Sequence, residues 1–352
     1  MAVAAELRKS GAEVSFLGTR DKMEAELVPA AGYEIDFLRV RGIDRRNPLR
    51  AVRAGFEAIG AVGAARSVLR RRRADVVLGG GGYVAGPAGL AATLTRTPLV
   101  LTEADSHLGL ANRLLAGRAR RICLAFPIEG RESERYLVTG RPVPDAVLAA
   151  DRGAARARFG IGTEERAVLV VGGSQGAKSV NFAALEAFAE REGRGFRVLH
   201  LSGRRDFAEL RARLDAAPYK GGYELVEYEP DLGDVLAAGD LVLGRSGGSI
   251  FEFTAAGRPA VLVPYPHATA DHQRANARWM VAAGAATIIE DDALDPEALL
   301  AEVGGILGDE ERLERMSSAA RLLAKPRAAR TIADQVLEAS ERGVSERDRR
   351  SS

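Results

Sequence analysis

The stretch VLVVGGSQGAKSVN (168–181) joins an apolar run to Ser174, Gln175 and Gly176 and then to a helical pattern. Glycines let a backbone approach a ligand closely. A helix start adds unpaired N–H groups and the positive end of a dipole, which suits a phosphate group. Ser174 and Gln175 supply side-chain donors, and Lys178 supplies charge. The other reading is a strand-to-helix turn that needs glycine for its own geometry. The loop is neither a Walker A sequence nor G-x-G-x-x-G, which argues against ATPase and dinucleotide chemistry.

A second loop, in LVLGRSGGSIFEFTAAGRPAVLVPYP (241–266), repeats the design with Arg245, Ser246 and Gly247. Glu252 then falls in the first turns of a helix, where a carboxylate is favoured and can accept both hydroxyls of a ribose; a plain helix-start charge is the alternative. PYPHATADHQRANA (264–277) holds His267, His272 and Gln273 just before a helix. Their spacing fits no zinc pattern, and no strand is followed by Asp-x-Asp, so hydrogen bonding to a polyhydroxyl ligand suits them better than metal. In the first half, DVVLGGGGYVAGPAG (75–89) allows close ligand approach at Gly81 and Gly82, beside Tyr83. LTEADSHLGLANRLLA (101–116) offers Glu103 and Asp105 for acid–base work. That loop can equally be a polar one in which Asp105 or Ser106 caps the next helix.

These loops need carriers, and the chain supplies them as short apolar runs alternating with helical stretches. The runs are EVSFLG (13–18), EIDFLRV (34–40), DVVLGG (75–80), PLVLTE (98–103), RICLAF (121–126) and YLVTG (136–140), then AVLVVGG (167–173), FRVLHLSG (196–203), YELVEY (223–228), DLVLGRSG (240–247), PAVLVPY (259–265) and ATIIE (286–290). This alternation indicates βαβ units with parallel sheets, whose ligands collect at the carboxyl ends of the strands. The 352 residues suggest two doubly wound domains, expected at 1–145 and 146–340, with residues 341–352 a charged, disordered tail. Hydrophobic residues at 46% and charged residues at 28% give an ordinary globular balance. A lone cysteine, Cys123, excludes an internal disulfide and favours a reducing compartment. With no 20-residue apolar span and no signal peptide in view, a cytoplasmic protein is expected.

Net charge is only +2, yet residues 41–73 are rich in arginine. Leu49, Val52, Phe56 and Ile59 fall on one side of a helix, with Arg50 and Arg53 nearby. Such a stripe is either the helix's core face or a basic amphipathic surface for an anionic membrane.

Taken together, GGGGYVAGP (79–87), TEADSHLGLANRLLA (102–116), GRPV (140–143), GGSQGA (172–177), RSGGSIFEFTAAGRPAVLVPYP (245–266) and DHQRANA (271–277) resemble the MurG family in order and spacing. The family comprises peripheral-membrane transferases that move N-acetylglucosamine from UDP-GlcNAc to undecaprenyl-diphosphate-muramoyl-pentapeptide, turning lipid I into lipid II. The resemblance implies a GT-B fold, two Rossmann-like domains facing each other across a cleft, with the donor mainly on the second. It implies donor contacts from Ser174, Gln175, Gly176, Arg245, Ser246 and Gly247, a ribose contact from Glu252, and sugar contacts from His272 and Gln273. Glu229 lies where the family binds uracil through the backbone, and Asp105 also falls on the donor side. Gly81, Gly82, Tyr83, Glu103 and Asn112 fall on the acceptor and diphosphate side. Phe56 and Ile59, with Arg50 and Arg53, fall in the family's membrane patch, implying a peripheral protein on the cytoplasmic face. The scheme is inversion by direct displacement, with no metal or other cofactor required and no nucleic-acid partner.

The chain departs from the family at Asp105, an asparagine there, and at Arg141 and Pro144, where the family has Asn and Arg. It also begins inside the helix that follows the family's first strand and glycine-rich loop, and that loop carries the family's candidate general base. A longer native chain is therefore expected, with open strand edges in the first sheet of the present one; His107 is a replacement base only in principle. The competing readings are a non-catalytic UDP-sugar-binding relative and another GT-B enzyme, a glycolipid synthase or a UDP-GlcNAc epimerase. A nicotinamide oxidoreductase is disfavoured by the lack of G-x-G-x-x-G.

Overall fold

Each apolar run read as a strand forms one, and every strand pairing is parallel. The computed structural model describes the backbone of residues 1–40, 48–172, 177–230 and 232–351, with side chains throughout except at 48–58, 269 and 344–351. The chain divides into two compact units, 1–142 with 327–352, and 143–326.

The first unit contains strands β1 (Ser15–Gly18), β2 (Glu34–Phe37), β3 (Val77–Gly79), β4 (Leu99–Glu103), β5 (Arg121–Leu124) and β6 (Tyr136–Val138). Its helices are α1 (Ala2–Lys9), α2 (Glu24–Ala30), α3 (Pro48–Arg71), α4 (Gly82–Thr95) and α5 (Leu110–Leu115). The strands form two sets, β1-β2 and β3-β4-β5-β6, rather than one continuous doubly wound sheet. Among the described residues, β1 and β3 are each paired on one side only. Shared helical layers hold the sets together. Period-2 alternation sends Val77, Leu99, Leu101, Ile122 and Leu124 to one face, against α3, α4 and α5 with Leu17 of β1. It sends Leu78, Val100 and Cys123 to the other, with Val14 beside β1.

That second face corrects the expected division at the C-terminus. The second unit contributes α6 (Asp145–Ala149), α7 (Arg152–Arg158), α8 (Lys178–Leu185), α9 (Phe207–Ala216), α10 (Leu232–Ala238), α11 (Ile250–Ala255), α12 (His272–Ala282), α13 (Pro296–Gly308) and α14 (Glu310–Leu323). The last helix, α15 (Ala328–Ser351), returns to the first unit, burying Ile332, Ala333, Val336 and Ala339 against Val100 and Cys123. Residues 341–351, expected to be disordered, continue this helix. Its apolar spacing of three and four anchors the first turns, and the Glu338–Arg342 pair at i,i+4 supports its continuation. Burial also pushes the Cys123 thiol up to about 12, so the lone cysteine is inert packing.

The second unit's six strands, β7 (Ala167–Val171), β8 (Arg197–Leu201), β9 (Tyr223–Val226), β10 (Leu241–Gly244), β11 (Ala260–Leu262) and β12 (Ala286–Ile288), lie in the order β12-β11-β10-β7-β8-β9. This is the doubly wound arrangement expected. Val168, Val170, Leu241, Leu243, Val261 and Val263 face α8, α9, α13 and α14 in the larger core. Helix starts follow the sequence signals: Asp151, Asp295 and Asp309 accept N–H groups of α7, α13 and α14. At the sheet's amino end, Arg152 and Arg156 donate to the carbonyls of Ala237, Ala238 and Gly239 that close α10. Asp240 takes Arg152 at 2.6 Å and the Ala167 N–H at 2.8 Å, tying α7 to the start of β7.

Within this unit lies a wholly buried polar chain. The Tyr223 hydroxyl meets His200 Nδ1 at 2.7 Å, and His200 Nε2 meets Asn181 Oδ1 at 3.1 Å. Asn181 Nδ2 donates to Asp206 at 2.9 Å and to the Ser202 carbonyl at 2.8 Å. Although burial opposes its charge, Asp206 is held below the usual carboxylate range by Arg205 and Asn181. Burial pulls His200 down to about 3 against its ordinary 6.5. The native histidine is therefore neutral through the range in which the unfolded chain takes up a proton. Stability falls as pH drops below about 6.5 and keeps falling until the native histidine itself protonates near 3. Urea unfolding between pH 6 and 4 checks this. In His200→Gln the slope of stability against pH becomes shallower by up to about 1.4 kcal/mol per pH unit.

Candidate functional site

In the second unit the strand order reverses between β7 and β10, and the two loops richest in chemistry leave the sheet there. After β7, Gly172 is packed so closely that an added Cβ would sit 2.6 Å from Asn181 Oδ1 and 3.0 Å from the Ser202 carbonyl. Only glycine fits. Gly173, Ser174, Gln175 and Gly176 lie outside the described residues; α8 resumes at Lys178 and presents its first turn at the strand's end.

After β10 comes Arg245, whose guanidinium is held through both terminal nitrogens. It pairs with Asp291 at 2.6 Å, donates to Ser179 Oγ at 2.7 Å, and reaches the carbonyls of Val263 and Pro264 at 3.1 and 3.2 Å. Ser246 is wholly buried and donates to the Gln273 carbonyl at 2.7 Å. Asn276 Nδ2 returns a bond to the Ser246 carbonyl at 3.0 Å, and Gln273 Oε1 accepts the Tyr265 N–H at 3.0 Å. The structure thus brings Arg245, Ser246, Gly247 and Gln273 together. It adds Ser179, Asn276 and Asp291, which motif reading missed. Only their fixed distances from the loops could have flagged them.

Glu252 occupies the first turn of α11, half-buried, as expected. His272 and Gln273 do not precede α12 but open it. Ala270 and Asp271, both at φ +53°, turn the chain into the helix. Two left-handed non-glycine residues in succession cost roughly 1–2 kcal/mol each, strain of the kind that collects at functional turns. The Glu229 carboxylate pairs with Arg158 of α7 at 2.5 Å, so this side chain is engaged within the unit.

In the first unit, Gly81 and Gly82 hold φ of +80° and +75° where β3 turns into α4, a conformation side chains resist. Tyr83 is exposed. Asp105 does not cap α5; the cap position is Gly109, whose own N–H is held by Glu103. Its buried carboxylate accepts the Asp105 N–H at 3.2 Å, the Gly109 N–H at 2.8 Å and Asn112 Nδ2 at 2.9 Å. Glu103 and Asn112 therefore fix the loop that carries Asp105 and His107. The Phe56, Arg50 and Arg53 side chains lie outside the described ones, whereas Ile59 is 70% exposed and so is not part of a core face. Among the described residues no three His, Cys, Asp or Glu side chains converge as metal ligands, and no helix is long and apolar enough to cross a membrane.

Residues 1–124 match the glycosyltransferase family 28 N-terminal domain, and residues 167–335 match the C-terminal domain of the same family. The chain belongs to glycosyltransferase family 28, with the MurG transferases. It is 39% identical to the UDP-N-acetylglucosamine--N-acetylmuramyl-(pentapeptide) pyrophosphoryl-undecaprenol N-acetylglucosamine transferase of Moorella thermoacetica, over 97% of this chain and 95% of that one. It is 38% identical to the Rubrobacter xylanophilus protein of that name, over 97% and 100%. Among solved structures, Acinetobacter baumannii MurG matches at 30% identity and a TM-score of 0.79, covering 96% of this chain and 94% of that one. The fold is accordingly that of the GT-B glycosyltransferases. A Neisseria meningitidis UDP-GlcNAc 2-epimerase matches at 16% identity and a TM-score of 0.65, a likeness of fold alone.

The loop held by Glu103 makes a direct prediction. Glu103→Gln sets an amide donor against N–H groups that need an acceptor, and unfolding in urea should show a loss of about 2 kcal/mol. Hydrogen exchange at the Asp105 and Gly109 amides should rise with it.

Proposed function

We propose that this protein transfers N-acetylglucosamine from UDP-GlcNAc to the muramoyl sugar of an undecaprenyl-diphosphate-linked pentapeptide, the step that completes the lipid-linked precursor of peptidoglycan and so serves cell shape and division. The observation that carries the reading is the whole-length likeness to transferases of that name, joined to the polar loops at the β7/β10 switch point. An epimerase is supported by fold alone.

In this scheme the donor lies along the second unit. The 172–176 loop and the first turn of α8 meet its diphosphate, Glu252 its ribose, and His272 and Gln273 its sugar hydroxyls. Ser246 and Gly247 shape the wall beside it, and the backbone at Glu229 reads the base. The acceptor hydroxyl loses its proton to a general base and attacks the anomeric carbon from the face opposite the leaving group. The bond to the β-phosphate oxygen breaks, and UDP departs with the electron pair. Backbone N–H groups and helix dipoles meet the charge that develops on UDP, so the scheme invokes no protein-held metal. His200 is not the base, since both its ring nitrogens are engaged in the core.

The first unit offers the acceptor side and a membrane contact. Leu90 and Leu94 stand exposed one turn apart on α4, and Leu110 and Leu114 one turn apart on α5. Ile59 stands exposed on α3, and Arg96, Arg113 and Arg118, close to these leucines in sequence, are exposed as well. Exposed apolar side chains on segments that also expose arginine suit the anionic, cytoplasmic face of a membrane, at about 1 kcal/mol per arginine near the surface.

Purified protein given labelled UDP-GlcNAc and a lipid-diphosphate muramoyl-pentapeptide should form a labelled disaccharide lipid only when the acceptor is present. Donor turnover without acceptor would replace this reading with an epimerase. Donor binding with no turnover in either mixture would leave a binding protein. Separately, Leu94→Glu with Leu114→Glu should weaken sedimentation with anionic vesicles at least tenfold. Turnover of a water-soluble acceptor analogue should stay unchanged.

A further inference from the structure

Arg245 lies where an anionic donor is proposed to bind, yet its positive charge is spent inside the protein. Asp291 Oδ1 sits 2.6 Å from the guanidinium and also accepts the Ser179 hydroxyl at 2.7 Å, while Arg245 donates to that same hydroxyl at 2.7 Å. The three side chains form a closed triangle. Arg245 Nη1 also reaches the Val263 and Pro264 carbonyls, and the guanidinium stands 5.4 Å from the Tyr265 ring.

The triangle's corners come from separate parts of the sheet. Ser179 is the second residue of α8, immediately after the loop that leaves β7. Arg245 follows β10, the carbonyls follow β11, and Asp291 begins the short 3-10 turn after β12. One guanidinium therefore links the carboxyl ends of β7, β10, β11 and β12, where adjacent parallel strands have run out of ladder hydrogen bonds. Arg245 and Asp291 are 16% and 23% exposed, so their ion pair is better shielded than a surface pair. Arginine suits the task because its planar fork donates in several fixed directions at once.

We propose that Asp291 and Ser179 are positioning residues for sugar-nucleotide binding: with Arg245 they form a clasp that sets the first turn of α8 against the loop after β10. This rests on the donor site assigned under the proposed function. In the clasp, Arg245 acts on the donor through the walls it holds, and Asp291 supplies the acceptor geometry that keeps the guanidinium in place. Asparagine at 291 keeps an oxygen able to accept from both Arg245 and Ser179, whereas alanine keeps none.

The test is UDP binding by calorimetry, with steady-state turnover and thermal unfolding, on wild type, Asp291→Asn, Asp291→Ala and Ser179→Ala. Wild-type binding and turnover come first, because their absence would sink the donor-site assignment rather than the clasp. Given an active wild type, Asp291→Ala should raise both the UDP Kd and the donor KM at least tenfold, with kcat within threefold. Asp291→Asn should stay within threefold of wild type in both. Ser179→Ala should raise KM about threefold, and in combination with Asp291→Ala should add nothing further, because the clasp is already open. If Asp291→Ala does not fold, Asp291→Ser, whose hydroxyl is too short to reach Arg245, takes its place and should likewise raise the UDP Kd and the donor KM at least tenfold. Unchanged affinity in the variants that open the clasp would overturn the proposal. So would tighter UDP binding in both Asp291 variants, since the carboxylate would then be acting by charge alone.

Discussion

Where β7 and β10 diverge, backbone groups at both carboxyl ends lose their ladder partners, and the architecture of the second unit follows from how they are satisfied. A buried N–H or carbonyl left unpaired costs free energy comparable to a lost hydrogen bond, so each end must find a substitute. On the β7 side the answer is the Leu201 carbonyl of β8, which accepts the Gly172 N–H, while Asn181, one turn into α8, holds the Ser202 carbonyl just beyond β8. On the β10 side it is Ser246, clamped between Gln273 and Asn276 of α12. Both helices are thereby fixed by polar contacts at their starts and by apolar packing along their lengths. The strand order of this sheet reverses between these two ends.

The two units reach rigidity by different means. In the second, a chain of buried polar groups contributes: His200, Tyr223 and Asn181 relay hydrogen bonds from β9 through β8 to α8, with Asp206 the charged member of that chain. In the first, a single buried carboxylate, Glu103, gathers three N–H donors and turns the 104–109 segment into a fixed shelf. A carboxylate that accepts this many charge-assisted bonds makes a stronger loop anchor than a neutral acceptor. The paired carboxylates legible in the sequence therefore divide their labour: Glu103 holds the loop that presents Asp105.

Periodicity made the strands legible, because each is short, apolar and bounded by glycine or proline, and the sheet positions followed from alternation with helices. The loops were legible because glycine where a strand meets a helix has few other reasons to be there. Two kinds of feature were not legible. The return of α15 to the first unit depends on Val100 and Cys123 lying uncovered on the face opposite α3, which no local pattern announces. Charge-rich composition in 341–352 pointed to disorder, yet a helix already nucleated by buried Ile332 and Val336 extends at little further cost. The partners of Arg245 were invisible for a related reason: Ser179 and Asp291 stand 66 and 46 positions away, and both are ordinary surface residue types.

The engagement of Arg245 bears on how charge would be handled during transfer. A cation held by a carboxylate 2.6 Å away has a field that largely cancels beyond a few ångströms, so it is a weak partner for a second anion. Under the proposed scheme, stabilisation of a departing nucleoside diphosphate would then fall to backbone dipoles such as those at the first turn of α8. Such groups are already oriented and need little reorganisation as charge develops, which is the condition under which electrostatic stabilisation is most effective. An arginine free to swing onto the diphosphate would bind the product as firmly as it bound the transition state. Tying that arginine into the fold separates the task of shaping the site from the task of meeting its charge.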